Sequence, residues 1–130
     1  MVAMQAAVNG MLLVEHGVKV RYAGKRIIPL KSDVDYRLMY QGRCAFFDAK
    51  SRQGSTLPLS SLSSQQRHLV AEYTKHGFVA GFLAQFRRTD QVVFFSHADV
   101  ARVGTRGSLA AHDGKIIGHT THFALRLLFG

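Results

Sequence analysis

The amino-acid sequence predicts an α/β fold, a mixed β-sheet flanked by helices, on three observations. Segments whose apolar residues recur at the helical period alternate along the chain with short segments of strand character. Ser63-x-x-Gln66 opens the central helical segment with the pairing of a capping box, and Gly77 closes it. The run that follows, Phe78 to Phe86, is apolar on both of its alternating faces, as a strand buried from both sides must be. The order helix, strand, strand, strand, helix, strand, strand implies an α/β sandwich with a mixed sheet.

Each element has a local reason. Met4, Ala7, Val8, Met11 and Leu12 stand at helical spacing ahead of Gly17, which predicts a helix from Met4 to His16. Val18, Val20 and Tyr22 alternate with Lys19 and Arg21, the pattern of a strand with one buried and one basic face. A short basic connection follows, containing Lys25, Arg26, Pro29 and Lys31. Asp35 to Lys50 reads as two short strands turned at Gln41-Gly42, and Ser51 to Ser61 as a polar, turn-rich loop. The helix that begins at Ser63 buries Leu69, Val70 and Tyr73. Strands at 78–86 and 92–96 flank a turn at Thr89-Asp90. His97 to Val103 reads as a short helix, Gly104 to Gly118 as a Gly-rich basic loop, and Thr121 to Phe129 as a closing strand or helix.

Composition narrows the function. A chain of 130 residues, 47% apolar and 19% charged, is expected to form one folded domain over 1–130. Lys and Arg number 17 against 8 Asp and Glu, a formal charge of +9, which favours a polyanionic partner, nucleic acid ahead of membrane or acidic protein. Cys44 is the one cysteine, so an intramolecular disulfide and a cysteine-based zinc site are excluded, and a reducing cytoplasm fits. The uncharged first fourteen residues lack a basic start and are interrupted by Gln5, Asn9 and Gly10, unlike a signal peptide. His119-x-x-His122 has metal-ligand spacing only on a helix, and no acid or Cys stands close by. Gly104-Thr105-Arg106-Gly107 lacks the lysine of a phosphate loop.

The chemistry concentrates between Asp35 and Lys50. Asp48 and Lys50, two apart on a strand, share a face, and Asp35 arrives on the preceding strand. Two carboxylates and an amine converging on one spot can hold a divalent cation, with the amine beside it to steer a water or neutralise a developing phosphorane. A salt-bridged hairpin would use the same residues. The apolar neighbours Cys44, Phe46 and Phe47 make an unpartnered Asp48 carboxylate costly, which demands a cation or hydrogen-bond donors.

Asp35, Asp48-Ala49-Lys50, the polar loop and a helix bearing Gln65 together resemble the PD-(D/E)xK nuclease signature. The stretch from Asp35 to about Phe86 is most similar to the RecU-type Holliday junction resolvases, through Asp35-Tyr36, Tyr40-x-Gly42-Arg43, Phe47-Asp48-Ala49-Lys50, Pro58-Leu59 and Gln65, fifteen positions after Lys50. The resemblance implies a restriction-endonuclease-like fold and a compact, bacterial or phage-type, Mg²⁺ (or Mn²⁺) dependent endodeoxyribonuclease that resolves four-way junctions. It further implies a homodimer, since resolution takes two symmetric cuts. By the same resemblance Asp35, Asp48 and the main-chain carbonyl of Ala49 ligate the metal, Lys50 positions or activates the attacking water, and Gln65 orients that water or the scissile phosphate. Asp33 competes with Asp35 for the first role. Lys19, Arg21, Lys25, Arg26, Lys31, Arg37 and Arg52 are candidate phosphate contacts. The sequence departs from the family pattern by having no acid in residues 1–9, and by only a short segment, 23–34, ahead of the first metal acid. A nuclease acting on flapped, nicked or linear DNA and a catalytically silent DNA-binding module are the alternatives.

Overall fold

The computed structural model describes residues 11–15, 19–23, 26–30, 36–104 and 107–130, with side chains from residue 36 onward. In chain order the strands are β1 (Met11–Glu15), β2 (Lys19–Ala23), β3 (Arg26–Leu30), β4 (Tyr36–Tyr40), β5 (Arg43–Arg52) and β6 (Thr56–Pro58). Helix α1 (Ser64–Lys75) comes next, then β7 (Val79–Phe86), β8 (Gln91–Ser96) and α2 (His97–Val103). The chain closes with β9 (Ser108–Ala110), β10 (Lys115–His119) and β11 (His122–Phe123), and short 3-10 turns lie at Leu59–Ser61, Ala111–Asp113 and Leu125–Phe129.

The predicted mixed sheet is present. Seven strands hydrogen-bond in the order β1-β4-β5-β7-β8-β10-β11, and β5 and β7 are the parallel neighbours, with Asp48 opposite Phe82. Antiparallel strands can be joined by a tight turn, whereas a parallel step needs a crossover, and α1 supplies it. β4 and β5 turn at Gln41 and Gly42, whose φ values of 49° and 75° are the positive pair that a two-residue hairpin of primed type requires. Ser63 accepts from the backbone N–H of Gln66 at 3.0 Å, and the Gln66 side chain accepts from the Ser63 N–H at 3.1 Å, so the capping box forms as its sequence implied.

Two apolar layers sandwich the sheet. On one face Leu57, Leu59, Val70, Phe82, Phe86, Val93, Phe95, Val100 and Leu109 pack beneath α1, α2 and the β6–β9 ribbon. On the other, Tyr36, Leu38, Ala45, Phe47, Leu83 and Phe94 are sealed by Leu125, Leu128 and Phe129 of the final turn. β7 contributes alternately to both layers, which is why it reads as continuously apolar. Its Gly81 lies against β8: a Cβ there would collide with the Phe95 carbonyl and stand 2.8 Å from the Phe94 ring.

Four expectations are corrected, the first being the loop expected at Ser51 to Ser61, which holds the end of β5 and strand β6, paired with β9. Met11–Glu15 is a strand on the edge of the sheet, paired with β4 from Met11 opposite Tyr40 to Glu15 opposite Tyr36, and not the end of a helix. A short apolar run carries both periods, and the free edge of β4 decides between them. The remainder of the predicted 4–16 helix lies outside the described residues. The basic connection contains β3, paired with β2 despite Pro29. An edge strand accommodates such a proline because the missing N–H need not face a partner. The Gly-rich stretch 104–118 is no simple loop: it holds β9, a turn and most of β10, and Leu59 donates its N–H to the Gly107 carbonyl at 3.1 Å. Among the described residues no helix is long and apolar enough to cross a membrane.

Candidate active site

Asp48 sits at the middle of the sheet because β5 carries Cys44, Phe46, Asp48 and Lys50 on the face toward α1, while Ala45 and Phe47 point into the opposite layer. It is 2% exposed and is the one buried charged side chain among the described residues. Phe82 stands beside it on β7, Phe46 precedes it along the face and Lys50 follows it. A carboxylate enclosed in this way repels a second anion and attracts a cation strongly, because little water screens it.

Lys50, half-buried, reaches the first turn of α1. Its Nζ donates to Gln66 Oε1 at 3.2 Å. The same Oε1 accepts from the Ser63 N–H, so two donors fix the amide oxygen of Gln66 and leave its Nε2 hydrogens outside both bonds. The capping box therefore has a second use: it anchors the acceptor that holds the ammonium. α1 then runs back so that Tyr73 stacks on Phe46 with ring centroids 4.0 Å apart and planes 5° apart. The positive end of the helix dipole and the Lys50 charge lie together, an arrangement that favours an anionic group between them.

The expected site is brought together only in part. Asp48, Ala49 and Lys50 lie consecutively on β5 as expected, and Arg52 ends the strand. Gln65 is exposed in the first turn of α1, and the glutamine at Lys50 is its neighbour Gln66. Asp35 and its competitor Asp33 lie outside the described residues, as do Lys25 and Lys31. Lys19, Arg21 and Arg26 lie within the β2–β3 ribbon, but their side chains are not described. Arg37 projects from β4 opposite Phe46. Among the described residues no group of three His, Cys, Asp or Glu side chains gathers around a common point. What is present, the buried Asp48 carboxylate, is an oxygen donor of the kind a hard divalent cation takes.

Sequence reasoning missed two residues. Gln66 carries a sequence signal only as the N3 partner of the Ser63 cap, and its contact with Lys50 is made by the fold. Arg87, just past the Phe78–Phe86 run, donates through Nε and Nη2 to Ser51 Oγ at 3.1 Å, and its N–H bonds the Arg52 carbonyl at 2.9 Å. That fixes a second guanidinium at the end of β5 where Lys50 emerges. His119 and His122 face each other across the β10–β11 hairpin, with His119 Nδ1 2.9 Å from the Asp90 carbonyl.

Comparison with known proteins places the family and the fold. The profile of the family described as recombination protein U, RecU, matches residues 13–113. The solved structure of Hjc from Archaeoglobus fulgidus, a Holliday junction resolvase of an archaeal hyperthermophile, superposes with a TM-score of 0.56 at 16% identity, covering 83% of this chain and 84% of that one. The fold is thus restriction-endonuclease-like, as the sequence implied. No curated protein matches the sequence.

Proposed function

The chain belongs to the RecU family of Holliday junction resolvases, a class of metal-dependent endonucleases, and from that premise we propose that Asp48 and Lys50 form the centre of a Mg²⁺ (or Mn²⁺) dependent site that hydrolyses phosphodiesters at four-way DNA junctions. The observation that carries the reading is a buried carboxylate on the strand face that also bears an anchored lysine. Asp35, Asp48 and the Ala49 carbonyl would hold the ion. Tyr36, which follows Asp35 in sequence, is paired with Phe47, which precedes Asp48. When bound, the cation supplies Lewis-acid activation of water and offsets charge on the phosphate.

The chain's own groups do the rest. Lys50, held by Gln66, presents its remaining N–H bonds to the attacking water or to a non-bridging phosphate oxygen. Gln66, in the role first assigned to Gln65, offers its Nε2 hydrogens to the same phosphate. Arg37, Arg52 and Arg87 flank β5, and with Lys19, Arg21, Lys25, Arg26 and Lys31 they grip neighbouring phosphates, so binding falls steeply with salt. One nuclease domain spans 1–130, and two copies make the paired cuts.

A synthetic four-way junction, a flap and a plain duplex, each incubated with and without Mg²⁺, test the proposal. Junction cleavage that needs the metal and disappears in Asp48→Asn while binding persists is the expected result. Equal cutting of all three DNAs refutes junction selectivity, and binding without any cutting leaves a silent DNA-binding module.

A further inference from the structure

Phe78 is 44% exposed, one of two large apolar side chains so exposed among the described residues. It ends the turn between α1 and β7, and its ring meets Phe46 edge-on, with centroids 5.4 Å apart and planes at 79°. Phe46 is in turn stacked on Tyr73. Beside this aromatic wall opens a cavity of about 380 Å³ lined by Arg37, Met39, Gly42, Arg43, Cys44, Phe46 and Phe78. The Arg43 guanidinium itself leaves for the other side of the sheet, where it lies 5.0 Å from the Phe129 ring centroid.

Three features describe the occupant. The walls are flat rings and a thioether, which suit a planar apolar face. The cavity has no carboxylate in its lining, and Arg37 supplies a positive charge there, so the site favours an acceptor or an anion. Phe46 and Cys44 are one and two pleat repeats from Asp48 on the same face of β5, roughly 7 and 14 Å along the strand. At about 3.4 Å of rise per stacked nucleotide, and more where stacking is broken, that is at most about two to four nucleotides from the bond cut at Asp48.

We propose that this cavity takes one unstacked base of the DNA substrate, its face against Phe78 and an acceptor edge or phosphate on Arg37. The inference rests on the nuclease reading above and assigns its selectivity for branched DNA. In plain duplex both faces of a base are covered by neighbours, so the aromatic wall has nothing to stack on. At a branch point stacking is interrupted, and a base face becomes available without reference to its sequence. With arginine and no carboxylate in its lining, this face complements an anionic strand better than the same cationic face of a second copy.

Binding without metal separates this inference from the nuclease chemistry. Affinity for a four-way junction and for a duplex of equal length is measured by fluorescence anisotropy in EDTA with the wild type, Phe78→Ala and Phe78→Tyr. Phe78→Ala should bind the junction about tenfold more weakly and the duplex unchanged, while Phe78→Tyr, which keeps the ring, should match the wild type. Alkylation of Cys44, the one thiol, should be slowed by the junction and not by the duplex. Equal junction affinity of wild type and Phe78→Ala, or an equal loss on both DNAs, overturns the proposal. So does Cys44 protection that rises with protein concentration in the absence of DNA, which would assign the face to a second copy. Failure of cleavage in Mg²⁺ would refute the nuclease reading and leave these binding results to stand by themselves.

Discussion

Substitutions at Gln66 separate the structural from the chemical duty of one side chain. In Gln66→Ala the Ser63 N–H loses its acceptor and Lys50 loses its anchor, while the Ser63 hydroxyl still caps the Gln66 N–H. Half a capping box contributes about 0.5–1 kcal/mol, and the Lys50 bond adds a fraction of a kcal/mol because the half-buried ammonium regains water. Alanine's better helix propensity returns a few tenths. The net loss is about 1 kcal/mol, or about 3–5 °C in a domain of this size. Cleavage should fall further than stability, about 100-fold, because a mispositioned donor acts on the transition state. Gln66→Glu keeps the acceptor for Ser63 and adds a charge that suits the helix N-terminus, so its stability should equal or exceed the wild type. It also binds the ammonium as an ion pair and removes the Nε2 donors, so cleavage should drop as in Gln66→Ala. Gln65→Ala should change stability by less than about 0.5 kcal/mol and cleavage by less than about twofold. Urea unfolding with constant m, paired with single-turnover junction cleavage, reads both effects. Wild-type cleavage by Gln66→Glu, or a large loss in Gln65→Ala, refutes the assignment.

Asp48→Asn should lower cleavage at least about 100-fold with metal-free junction affinity within about twofold, as read by gel and anisotropy. Gly81→Ala should destabilise by about 3 kcal/mol or more in urea, since its methyl would press on the β8 backbone and the Phe94 ring. Asp90 accepts from the Thr120 hydroxyl and backbone N–H, which hold its carboxyl below the ordinary 3.8. A depressed folded value means the stabilisation is present above about 3.8 and disappears as pH falls through the lower folded value. Thr120→Val should therefore move the Asp90 titration, followed by NMR, upward, and an unchanged titration would discard that cause.

The legible parts of this fold are those set by neighbours in sequence. Gln41-Gly42, Ser63-x-x-Gln66, Gly77 and the 97–103 helix depend on backbone geometry within four residues, and the structure has each where the chemistry of turns and caps puts it. Met11–Glu15 carries no such mark: its leucines and valine satisfy either period, and only pairing with β4 makes it a strand. β9 and β10 are short and separated by Gly114, so they looked like loop, although Leu109 is fully buried against the β6 side of the ribbon. At the site, the spacing of Asp48 and Lys50 was readable from the strand period. That Gln66 rather than Gln65 meets Lys50 was not, because it turns on the rotation of α1 about its axis, which the packing of Val70 in the core and of Tyr73 on Phe46 sets. The cavity beside Phe78 joins β4, β5 and the end of α1 and leaves no local signature at all.

The parallel step between β5 and β7 has a kinetic meaning as well. It is the sheet contact that must await the whole of α1, since Ala45 meets Val79 only after the intervening chain has folded back. Closing such a loop costs more chain entropy than forming the hairpins on either side, so it is expected to follow them. Asp48 and Lys50 are on one side of that closure and Gln66 on the crossover itself. The three side chains therefore come together only when β7 docks on β5, and a chain holding only the β4–β5 hairpin lacks the Lys50–Gln66 contact.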